Sequence, residues 1–588
     1  MSGRGAAPRW LPWAVILPIV GLDLFICVRN PGDLDRLLIN MILALSAFVT
    51  LHAKLLSLAN AGFMAIGAYA SAIISIKLGL PIAVSIPAAV LICAAVALLI
   101  GLPVLKLKDV YLAICTLGFG EMVRVLIILN PDLTGGSTGA NLSTGFPYEA
   151  MKQTRTWMLA LLLAFLAYLF WAIARSRIGR AFRALRENPQ AASTMGIDIV
   201  AYRRFAFVLS AMIAGVAGAF YAHSVGSLDN GDFKFNRALD ILSYAVLGGS
   251  GQWFGSILGG GFLTALPILL REVLGGAIGF LKNFAQLPNI INGLALLLVV
   301  IFLPGGLASV FTFRRKRPRA AAAAHALPDR ERPPSGAPLL VLDDVSRHFG
   351  GLEALSKVGF QVQEGMICGL IGPNGAGKTT LINLISGLFP PSSGRIVWLG
   401  REVQHRPAHR IARAGIARTF QNIQLFRDMT VLDNVIVGRH THIRTSLLTT
   451  LLRLPREGSE ERSAQGEALA LLERLGLAAL AEQHAGNLSY GDQRRVEIAR
   501  ALAQHPRLLL LDEPAAGMNE IETARLGEFI LELKQHGTTL LIVEHHMDLI
   551  MKICDQIVVL NFGKKIAQGT PALVSRDNQV LEAYLGRD

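Results

Sequence analysis

Charged residues are scarce in this sequence. Asp, Glu, Lys and Arg make up 17% of the 588 residues, whereas hydrophobic residues make up 52%. Soluble domains have about one quarter charged residues, so part of this chain is expected to lie in a lipid bilayer. Cysteine is also scarce: there are five, and none belongs to a CxxC pair or a Cys/His cluster with metal-ligand spacing. We therefore expect small buried cysteines, without disulfides or structural zinc.

A basic soluble domain is missing, although the formal net charge is +14. Residues 1–313 carry a net charge of +9, residues 314–338 carry +5, and residues 339–588 carry none. A nucleic-acid-binding protein should have a basic folded domain. The charge distribution therefore argues against a nucleic-acid partner and favours a membrane protein with basic cytoplasmic loops.

Apolar runs of membrane-spanning length recur in the first 313 residues. A helix needs about 20 apolar residues to cross the hydrocarbon core. The candidate runs are 11–28, 37–53, 55–76, 81–105, 110–129, 157–173, 205–226, 239–270 and 287–303. They predict a polytopic α-helical membrane domain of roughly eight or nine spans. The first run lacks a small-residue cleavage site and further spans follow, so we interpret it as a membrane helix.

Arginine placement predicts the side of the membrane that faces the cytoplasm. Segment 174–204 holds seven arginines and two acidic residues, and the basic cluster 314–317 follows the last run. Both are therefore assigned to the cytoplasm. An even number of spans must join them, so run 239–270 is expected to divide into two helices. Residues 314–338, rich in Ala and Pro, are expected to form an extended tether beside anionic lipid headgroups.

From Leu339 onward the pattern changes to that of an α/β domain. A buried-strand pattern at 366–371 leads into Gly372–Thr379, which fits G-x-x-x-x-G-K-[ST], and then into an apolar helix. In this strand–loop–helix context the motif is typical of a P-loop. Backbone N–H groups of such a loop cradle phosphates, Lys378 reaches the β- and γ-phosphates, and Thr379 ligates Mg²⁺.

Two further apolar strands end in polar residues of catalytic type. The strand 508–511 leads into Asp512 and Glu513. Asp512 is expected to hold Mg²⁺ through water, and Glu513 to orient and polarise the attacking water. The strand 539–543 leads to His545, which is placed to contact the γ-phosphate and sense its loss. We therefore predict catalytic roles for Glu513 and His545.

Taken together, the motifs in 339–588 resemble those of the ATP-binding subunit of ABC transporters. Gly372–Thr379 matches the Walker A motif and Leu508–Asp512 matches Walker B, while Gln421 matches the Q-loop and His545 the switch histidine. The resemblance implies ATP contacts from Phe349, which stacks on adenine, and from Gly372, Pro373, Asn374, Gly375, Ala376, Gly377, Lys378, Thr379, Thr380 and Gln421. It implies Mg²⁺ ligation by Thr379, Gln421 and Asp512. The family signature corresponds to Ser489, Gly491, Asp492 and Gln493, facing the Walker A motif of a second ATP-binding domain.

Several short sequence segments resemble those of one subfamily, the branched-chain amino acid importers. Residues 418–421, 512–519 and 582–586 are similar to their ATP-binding proteins, and residues 61–69, 116–121 and 179–188 to their permeases. Residues 187–196 resemble the cytoplasmic coupling segment of ABC importers, through Glu187, Ala191, Ala192 and Gly196. The resemblance implies that this segment docks near Gln421.

We therefore expect a polytopic α-helical membrane domain at 1–313, a linker at 314–338 and an α/β P-loop ABC-type ATPase domain at 339–588. The expected function is ATP-driven import of branched-chain amino acids across the bacterial inner membrane, with the ATPase domain in the cytoplasm. The resemblance implies three partners: a second permease, a second ATP-binding subunit and a periplasmic solute-binding protein. Urea, short amides or other amino acids are alternative cargoes. A membrane-tethered ATPase without transport, or an exporter, is disfavoured by the coupling segment.

Overall fold

The computed structural model describes residues 31–107, 109–141, 152–225, 227–249, 251–277, 287–311, 338–443, 449–450 and 455–585. The expected span 11–28 lies outside these residues, as does the expected linker 314–338 apart from Pro338.

Helices dominate the described part of the first 311 residues. In chain order the elements are α1 (Pro31–His52), α2 (Asn60–Lys77), α3 (Ile82–Val104), α4 (Asp109–Leu129), α5 (Pro131–Thr134), β1 (Ala140–Asn141), α6 (Lys152–Arg175), α7 (Arg177–Glu187), α8 (Pro189–Thr194), α9 (Ile199–Val225), β2 (Ser227–Leu228), α10 (Phe235–Gly248), α11 (Trp253–Ala277) and α12 (Leu287–Phe302). Strands β1 and β2 pair antiparallel.

Six of these helices are long and apolar enough to cross a membrane, namely α1, α3, α4, α6, α9 and α11. The expected total of roughly eight or nine spans also counted run 11–28, which lies outside the described residues, and the runs that form α2, α10 and α12. Helix α2 has 18 residues, and α10 and α12 have 14 and 16. Run 239–270 does divide into two helices, α10 and α11, as the orientation argument requires.

Small residues allow close approach between the membrane helices. A Cβ atom at Gly67 on α2 would lie 2.1 Å from the carbonyl oxygen of Gly215 on α9. A Cβ at Gly218 on α9 would lie 2.0 Å from the carbonyl oxygen of Met64. Glycine is therefore required at the contact of α2 with α9.

The carboxyl-terminal part is an α/β structure. Its elements are β3 (Pro338–Phe349), β4 (Leu352–Gln363), β5 (Ile367–Ile371), α13 (Lys378–Ile385), β6 (Ser393–Trp398), β7 (Arg401–Glu402), α14 (Ala408–Arg413), β8 (Ile416–Arg418), α15 (Val431–Gly438), α16 (Pro455–Arg474), α17 (Tyr490–Leu502), β9 (Leu508–Asp512), α18 (Glu520–Gln535), β10 (Thr539–Val543), α19 (Met547–Ile553), β11 (Gln556–Asn561), β12 (Lys564–Gly569), α20 (Pro571–Val574) and α21 (Asn578–Leu585).

Two larger sheets organise this part. One has the strand order β12-β11-β5-β10-β9-β8 and is parallel except for β12, while the antiparallel sheet has the order β4-β3-β6-β7. Every residue of β5, β9 and β10 is buried, which suits their Leu- and Ile-rich sequences. Val543 pairs with both Leu370 and Asp512, so the carboxyl ends of these three strands meet at one edge.

The described residues fall into two compact units. One comprises those within Met1–Ala172 and Val200–Lys316, and the other comprises those within Ile173–Ile199 and Arg317–Asp588. The second unit therefore contains helices α7 and α8 together with the α/β sheets.

Candidate nucleotide-binding and coupling site

The loop between β5 and α13 has the backbone of a phosphate-binding loop. Gly372 and Gly377 have φ angles of 150° and 97°, which favour glycine. A Cβ at Gly372 would also lie 2.1 Å from the carbonyl oxygen of Leu560. Of the other loop residues, Asn374 and Gly375 are exposed and Pro373 is half-buried; Ala376 is buried, and Thr379 and Thr380 are half-buried in the first turn of α13.

Lys378 folds back over this loop. Its Nζ donates to the carbonyl oxygens of Gly372 at 2.7 Å and Pro373 at 2.9 Å. Burial lowers the pKa of the ammonium, against the opposing effect of the Glu513 and Asp512 carboxylates. A phosphate in the loop would offer this poorly solvated cation a stronger partner than two neutral carbonyls.

Asp512, the last residue of β9, carries unsatisfied buried oxygens. Its side chain is 0% exposed, and neither carboxylate oxygen accepts a hydrogen bond from a described residue. The nearest guanidinium, that of Arg418, lies 3.6 Å away. Burial raises the pKa of Asp512 to about 6, although Arg418 acts in the opposite direction. Buried carboxylate oxygens without a hydrogen-bond donor fit a hydrated Mg²⁺ ion, which prefers oxygen ligands.

Glu513 meets two other predicted site residues at its carboxylate. Its Oε1 accepts a hydrogen bond from Gln421 Nε2 at 3.0 Å and lies 2.9 Å from His545 Nε2. The φ angle of Glu513 is 48°, and its N–H donates to the carbonyl oxygen of Val543 at 2.8 Å. This hydrogen bond to β10 supports an unusual backbone conformation that turns the chain just after β9.

Glu544 was not predicted as a site residue, yet its side chain connects the loops that carry Glu513 and His545. Its Oε1 accepts from the N–H of Ala515 at 2.6 Å, and its Oε2 accepts from the N–H of His545 at 3.0 Å. The side chain is buried. Glu544 therefore connects the loop after β9 to the loop after β10. The position of Glu544 next to His545 in the sequence is the signal that could have identified it.

Arg418 is a second residue whose role the sequence did not indicate. Its Nη1 donates to Asn383 Oδ1 at 2.6 Å and to Ser386 Oγ at 2.9 Å. Burial lowers its pKa to about 10, despite the neighbouring Asp512 carboxylate. Arg418 therefore connects β8 and the P-loop helix α13 with the acidic end of β9.

The signature residues form a capped helix start instead of joining the P-loop. Ser489 Oγ accepts from the N–H of Asp492 at 3.2 Å and donates to Asp492 Oδ2 at 2.7 Å. Gln493 Nε2 donates to the carbonyl oxygen of Leu488 at 2.9 Å, and Gly491 is half-buried. No hydrogen bond or ion pair connects these side chains to Gly372–Thr379 within the described part of this single chain.

Phe349 lies at the end of β3 and is 43% exposed. Its ring packs edge-on against Phe389 with centroids 5.4 Å apart, and the Arg347 guanidinium lies 4.6 Å from its centroid. An exposed aromatic face is available at this position for a planar ligand.

Helices α7 and α8 contact the α/β structure through the residues predicted to couple the two parts. Glu187 Oε2 accepts from the N–H of Asp428 at 3.2 Å, and burial raises the pKa of this carboxyl. Ala191 and Ala192 are fully buried. Gly196 has a φ of 82°, and a Cβ there would lie 2.2 Å from Thr441 Cγ2. Each of these small residues allows close packing that a larger side chain would prevent.

Arginines of α7 make the charged contacts of this surface. Arg180 forms two parallel hydrogen bonds with the Glu461 carboxylate, at 2.6 and 2.7 Å. Arg183 lies 3.5 Å from Asp433, and Arg177 contacts His440 at 3.2 Å. Burial and then the Arg177 guanidinium hold the pKa of His440 well below its usual range. The acidic partners Glu461 and Asp433 were not predicted from the sequence. The signal available in the sequence was that their negative charge is opposite to that of the arginine-rich segment 174–204.

A buried ion cluster lies between the coupling contacts and Glu513. Asn188 donates a hydrogen bond to the side chain of Gln424, and the carbonyl oxygen of Gln424 accepts from Arg500 Nη1 at 2.8 Å. Glu497 lies between Arg500 and Arg494, with ion pairs of 3.5 and 3.0 Å, and all three side chains are 0% exposed.

The same cluster reaches the Q-loop. Arg494 Nη2 donates to the carbonyl oxygen of Gln421 at 2.7 Å, and Glu497 Oε1 accepts from the N–H of Gln424 at 3.2 Å. A continuous path of contacts therefore runs from Asn188 through Gln424 and the ion cluster to Gln421, whose side chain contacts Glu513.

Comparison with known protein families supports two functional parts on one chain. Residues 35–311 match a family described as branched-chain amino acid transport system / permease component. Residues 355–516 match the ABC transporter family, and residues 564–588 match a family described as branched-chain amino acid ATP-binding cassette transporter.

Individual relatives match the carboxyl-terminal part. The high-affinity branched-chain amino acid transport ATP-binding protein LivG of Salmonella typhimurium is 45% identical over 250 residues, which are 42% of this chain and 98% of that protein. The corresponding protein BraF of Pseudomonas aeruginosa is 44% identical over 250 residues, with the same coverage of 42% and 98%. A solved nucleotide-free ATP-binding cassette from an ABC transporter is 34% identical; the match covers 43% of this chain and 100% of that chain, with a TM-score of 0.38.

Proposed function

Because this chain belongs to the branched-chain amino acid ABC transporter family, we propose that it imports branched-chain amino acids across a bacterial inner membrane. The chain carries a permease part and an ATP-binding part, and ATP hydrolysed by the second drives transport through the first. One observation carries this proposal. Segment 187–196, which lies within the permease match, contacts the loop that contains Gln421 and Gln424.

ATP is the substrate of the site at the ends of β5, β9 and β10. In this proposal the N–H groups of Gly372–Thr379 and the Lys378 ammonium bind the phosphates, with Thr380 in the same helix turn. The ring of Phe349 stacks on the adenine. The positive φ angles of the loop glycines and the position of Lys378 support this assignment.

Magnesium is assigned to Thr379, Gln421 and Asp512. Bound Mg²⁺ would neutralise charge that develops on the phosphates. The carboxylate oxygens of Asp512 have no hydrogen-bond donor among the described residues, which supports a role for them toward a hydrated cation.

Hydrolysis is assigned to Glu513 and His545. Glu513 accepts a proton from the attacking water and holds that water in line with the γ-phosphate. His545 donates to the phosphate oxygens and, together with Gln421, orients the Glu513 carboxylate. The shared contact of both side chains with Glu513 Oε1 supports this division of roles.

A complete transporter needs two permeases and two ATP-binding domains. We assign residues 1–313 to the permease, 314–338 to the linker and 339–588 to the cytoplasmic ATPase. Ser489, Gly491, Asp492 and Gln493 then complete the ATP site of a second ATP-binding subunit, in accord with their separation from this chain's own P-loop. A solute-binding protein delivers the amino acid from the periplasm.

Cargo-stimulated ATP hydrolysis tests the proposed function. The chain would be reconstituted in vesicles with its partner permease, ATP-binding subunit and solute-binding protein. We expect leucine to stimulate ATP hydrolysis and urea to have no effect. A response to urea or a short amide without a response to leucine would assign the alternative cargo.

A further inference from the structure

The hairpin of β3 and β4 packs against the phosphate-binding loop. Arg347 on β3 pairs with Leu355 on β4. A Cβ at Gly377, the last glycine of the loop, would lie 2.7 Å from Leu355 Cδ2. Phe349 lies two residues farther along β3 from this contact, which is about 7 Å in an extended strand. The ring of Phe349 is therefore close enough to meet the base of a nucleotide whose phosphates lie in the loop.

The guanidinium of Arg347 supports the ring of Phe349. It lies 4.6 Å from the centroid of the Phe349 ring and 5.1 Å from that of the Phe389 ring. These two rings meet edge to face at 82°. Arg347 Nη1 donates to the carbonyl oxygen of Pro390 at 2.8 Å, which fixes the guanidinium against both rings. Phe349 is still 43% exposed, so the guanidinium leaves part of the ring surface open to a planar ligand.

The contacts of Arg347 are those of a stacked cation. Its Nε is buried without a hydrogen-bond partner among the described residues, and Pro390 offers its Nη1 a neutral acceptor. A guanidinium is weakly hydrated and stacks on aromatic faces, where the ring attracts its charge. Arg347 therefore restricts the motion of the Phe349 ring. A ring that is already held in one orientation loses less conformational entropy when a base stacks on it.

We propose that Arg347 is a positioning residue for the adenine base of ATP. Its guanidinium holds the Phe349 ring from one side, and the base stacks on the ring surface that stays open. This inference rests on the proposed function, because it takes ATP as the substrate and Phe349 as the contact of its base. Arg347 acts through Phe349, so its loss should weaken binding of the base and leave phosphate binding by Gly372–Thr379 unchanged.

Binding of ATP and of inorganic tripolyphosphate separates base contacts from phosphate contacts. Dissociation constants for both ligands with Mg²⁺ would be measured by calorimetry on the full chain carrying Glu513→Gln, which prevents hydrolysis. The variants are Arg347→Met, which keeps an unbranched side chain without the charge, and Arg347→Lys, which keeps a cation. The matched control is Arg395→Gln, which removes an exposed arginine from the same antiparallel sheet.

Arg347→Met should weaken the binding of ATP alone. We expect its Kd for ATP to rise about three- to fivefold, the size of an exposed cation–π contact, while its Kd for tripolyphosphate stays at the parent value. Arg347→Lys should stay within about twofold of the parent, because a lysine ammonium can also lie over the ring. Arg395→Gln should match the parent for both ligands. In a Phe349→Ala background, Arg347→Met should have no further effect, because the ring through which it acts is gone.

An unchanged Kd for ATP in Arg347→Met would overturn the positioning role. So would an equal weakening of ATP and tripolyphosphate, which indicates a structural defect of the whole site, or an undiminished effect of Arg347→Met in the Phe349→Ala background. A parent chain that binds tripolyphosphate as tightly as ATP would overturn the base contact of Phe349 and the role of Arg347 together. Failure of the proposed import function would appear instead in the cargo assay, as a response to urea without a response to leucine, and would leave these constants unchanged.

Discussion

His545 Nε2 lies 2.9 Å from Oε1 of Glu513, joining the ends of two neighbouring parallel strands. Strand β9 delivers Glu513 and β10 delivers His545. The Glu544 carboxylate, which binds main-chain N–H groups on both sides, fixes the two loops relative to each other. The general base and the phosphate sensor of the proposed reaction are thus held by one hydrogen-bonded frame.

Replacing Glu513 by Gln should abolish most ATP hydrolysis without preventing ATP binding. The amide has nearly the same shape but cannot accept a proton, so we expect a loss of about 10²- to 10⁴-fold in kcat. Phosphate release and binding of a fluorescent ATP analogue would be measured on the same preparation. Glu520→Gln, at the exposed start of α18, is the matched control. Parent-rate hydrolysis by the Glu513 variant would refute this assignment.

Acidification should weaken Mg²⁺ binding through Asp512. Burial raises the pKa of this carboxyl to about 6, and only its ionised form can hold the hydrated cation. The apparent Mg²⁺ affinity is therefore expected to be constant above pH 6 and to fall about tenfold per pH unit below it. Mg²⁺ titrations of ATP hydrolysis between pH 5 and pH 8 test this, compared with Mg²⁺-free ATP binding. An affinity that stays constant down to pH 5 would contradict the role of Asp512.

Breaking the Arg180–Glu461 pair should uncouple cargo from ATP hydrolysis. The side chain of Arg180 is 4% exposed, so Arg180→Gln leaves Glu461 without its bidentate partner in a partly buried site. We expect basal ATP hydrolysis to persist while leucine stimulation falls at least threefold. The exposed Arg395–Asp343 pair offers the control Arg395→Gln, which should change neither rate. A double-mutant cycle with Glu461→Gln measures the coupling energy; a value of zero would exclude a role for the pair.

Removing Glu497 should destabilise the ATP-binding part strongly. Its carboxylate lies between the buried Arg494 and Arg500 guanidinium groups, so Glu497→Ala leaves two uncompensated charges. We expect the free energy of unfolding to fall by about 3–5 kcal/mol. Denaturant unfolding of the full chain, monitored by a probe in the α/β sheets, measures this loss, with Glu520→Ala as control. A loss below about 1 kcal/mol would show that Glu497 is not needed to compensate the buried charges of Arg494 and Arg500.

Much of the ATP site could be predicted from the sequence because its chemistry depends on local order. One buried strand leads into Gly372–Thr379, and another leads into Asp512 and Glu513. Because these strands belong to one parallel sheet, their carboxyl ends meet at the same edge. Arg418 and the Arg494–Glu497–Arg500 cluster could not be predicted in the same way. Their roles depend on partners distant in sequence, such as Asn383 for Arg418 and Gln424 for Arg500.

The membrane part was less predictable for a related reason. Hydropathy located most helices, and arginine placement predicted the division of run 239–270. Among the described residues, six helices are long and apolar enough to span a membrane. The polar contacts of Asn40, Arg237 and Thr264 join three helices and leave no periodic signal in any one of them.

ATP-driven leucine uptake into vesicles containing the complete transporter distinguishes the proposed importer from its alternatives. We expect radiolabelled leucine to accumulate only with ATP, Mg²⁺ and the solute-binding protein, and accumulation to disappear with Glu513→Gln in both ATP-binding subunits. Leucine accumulation that continues in that variant, or accumulation of urea without leucine, would contradict this proposal.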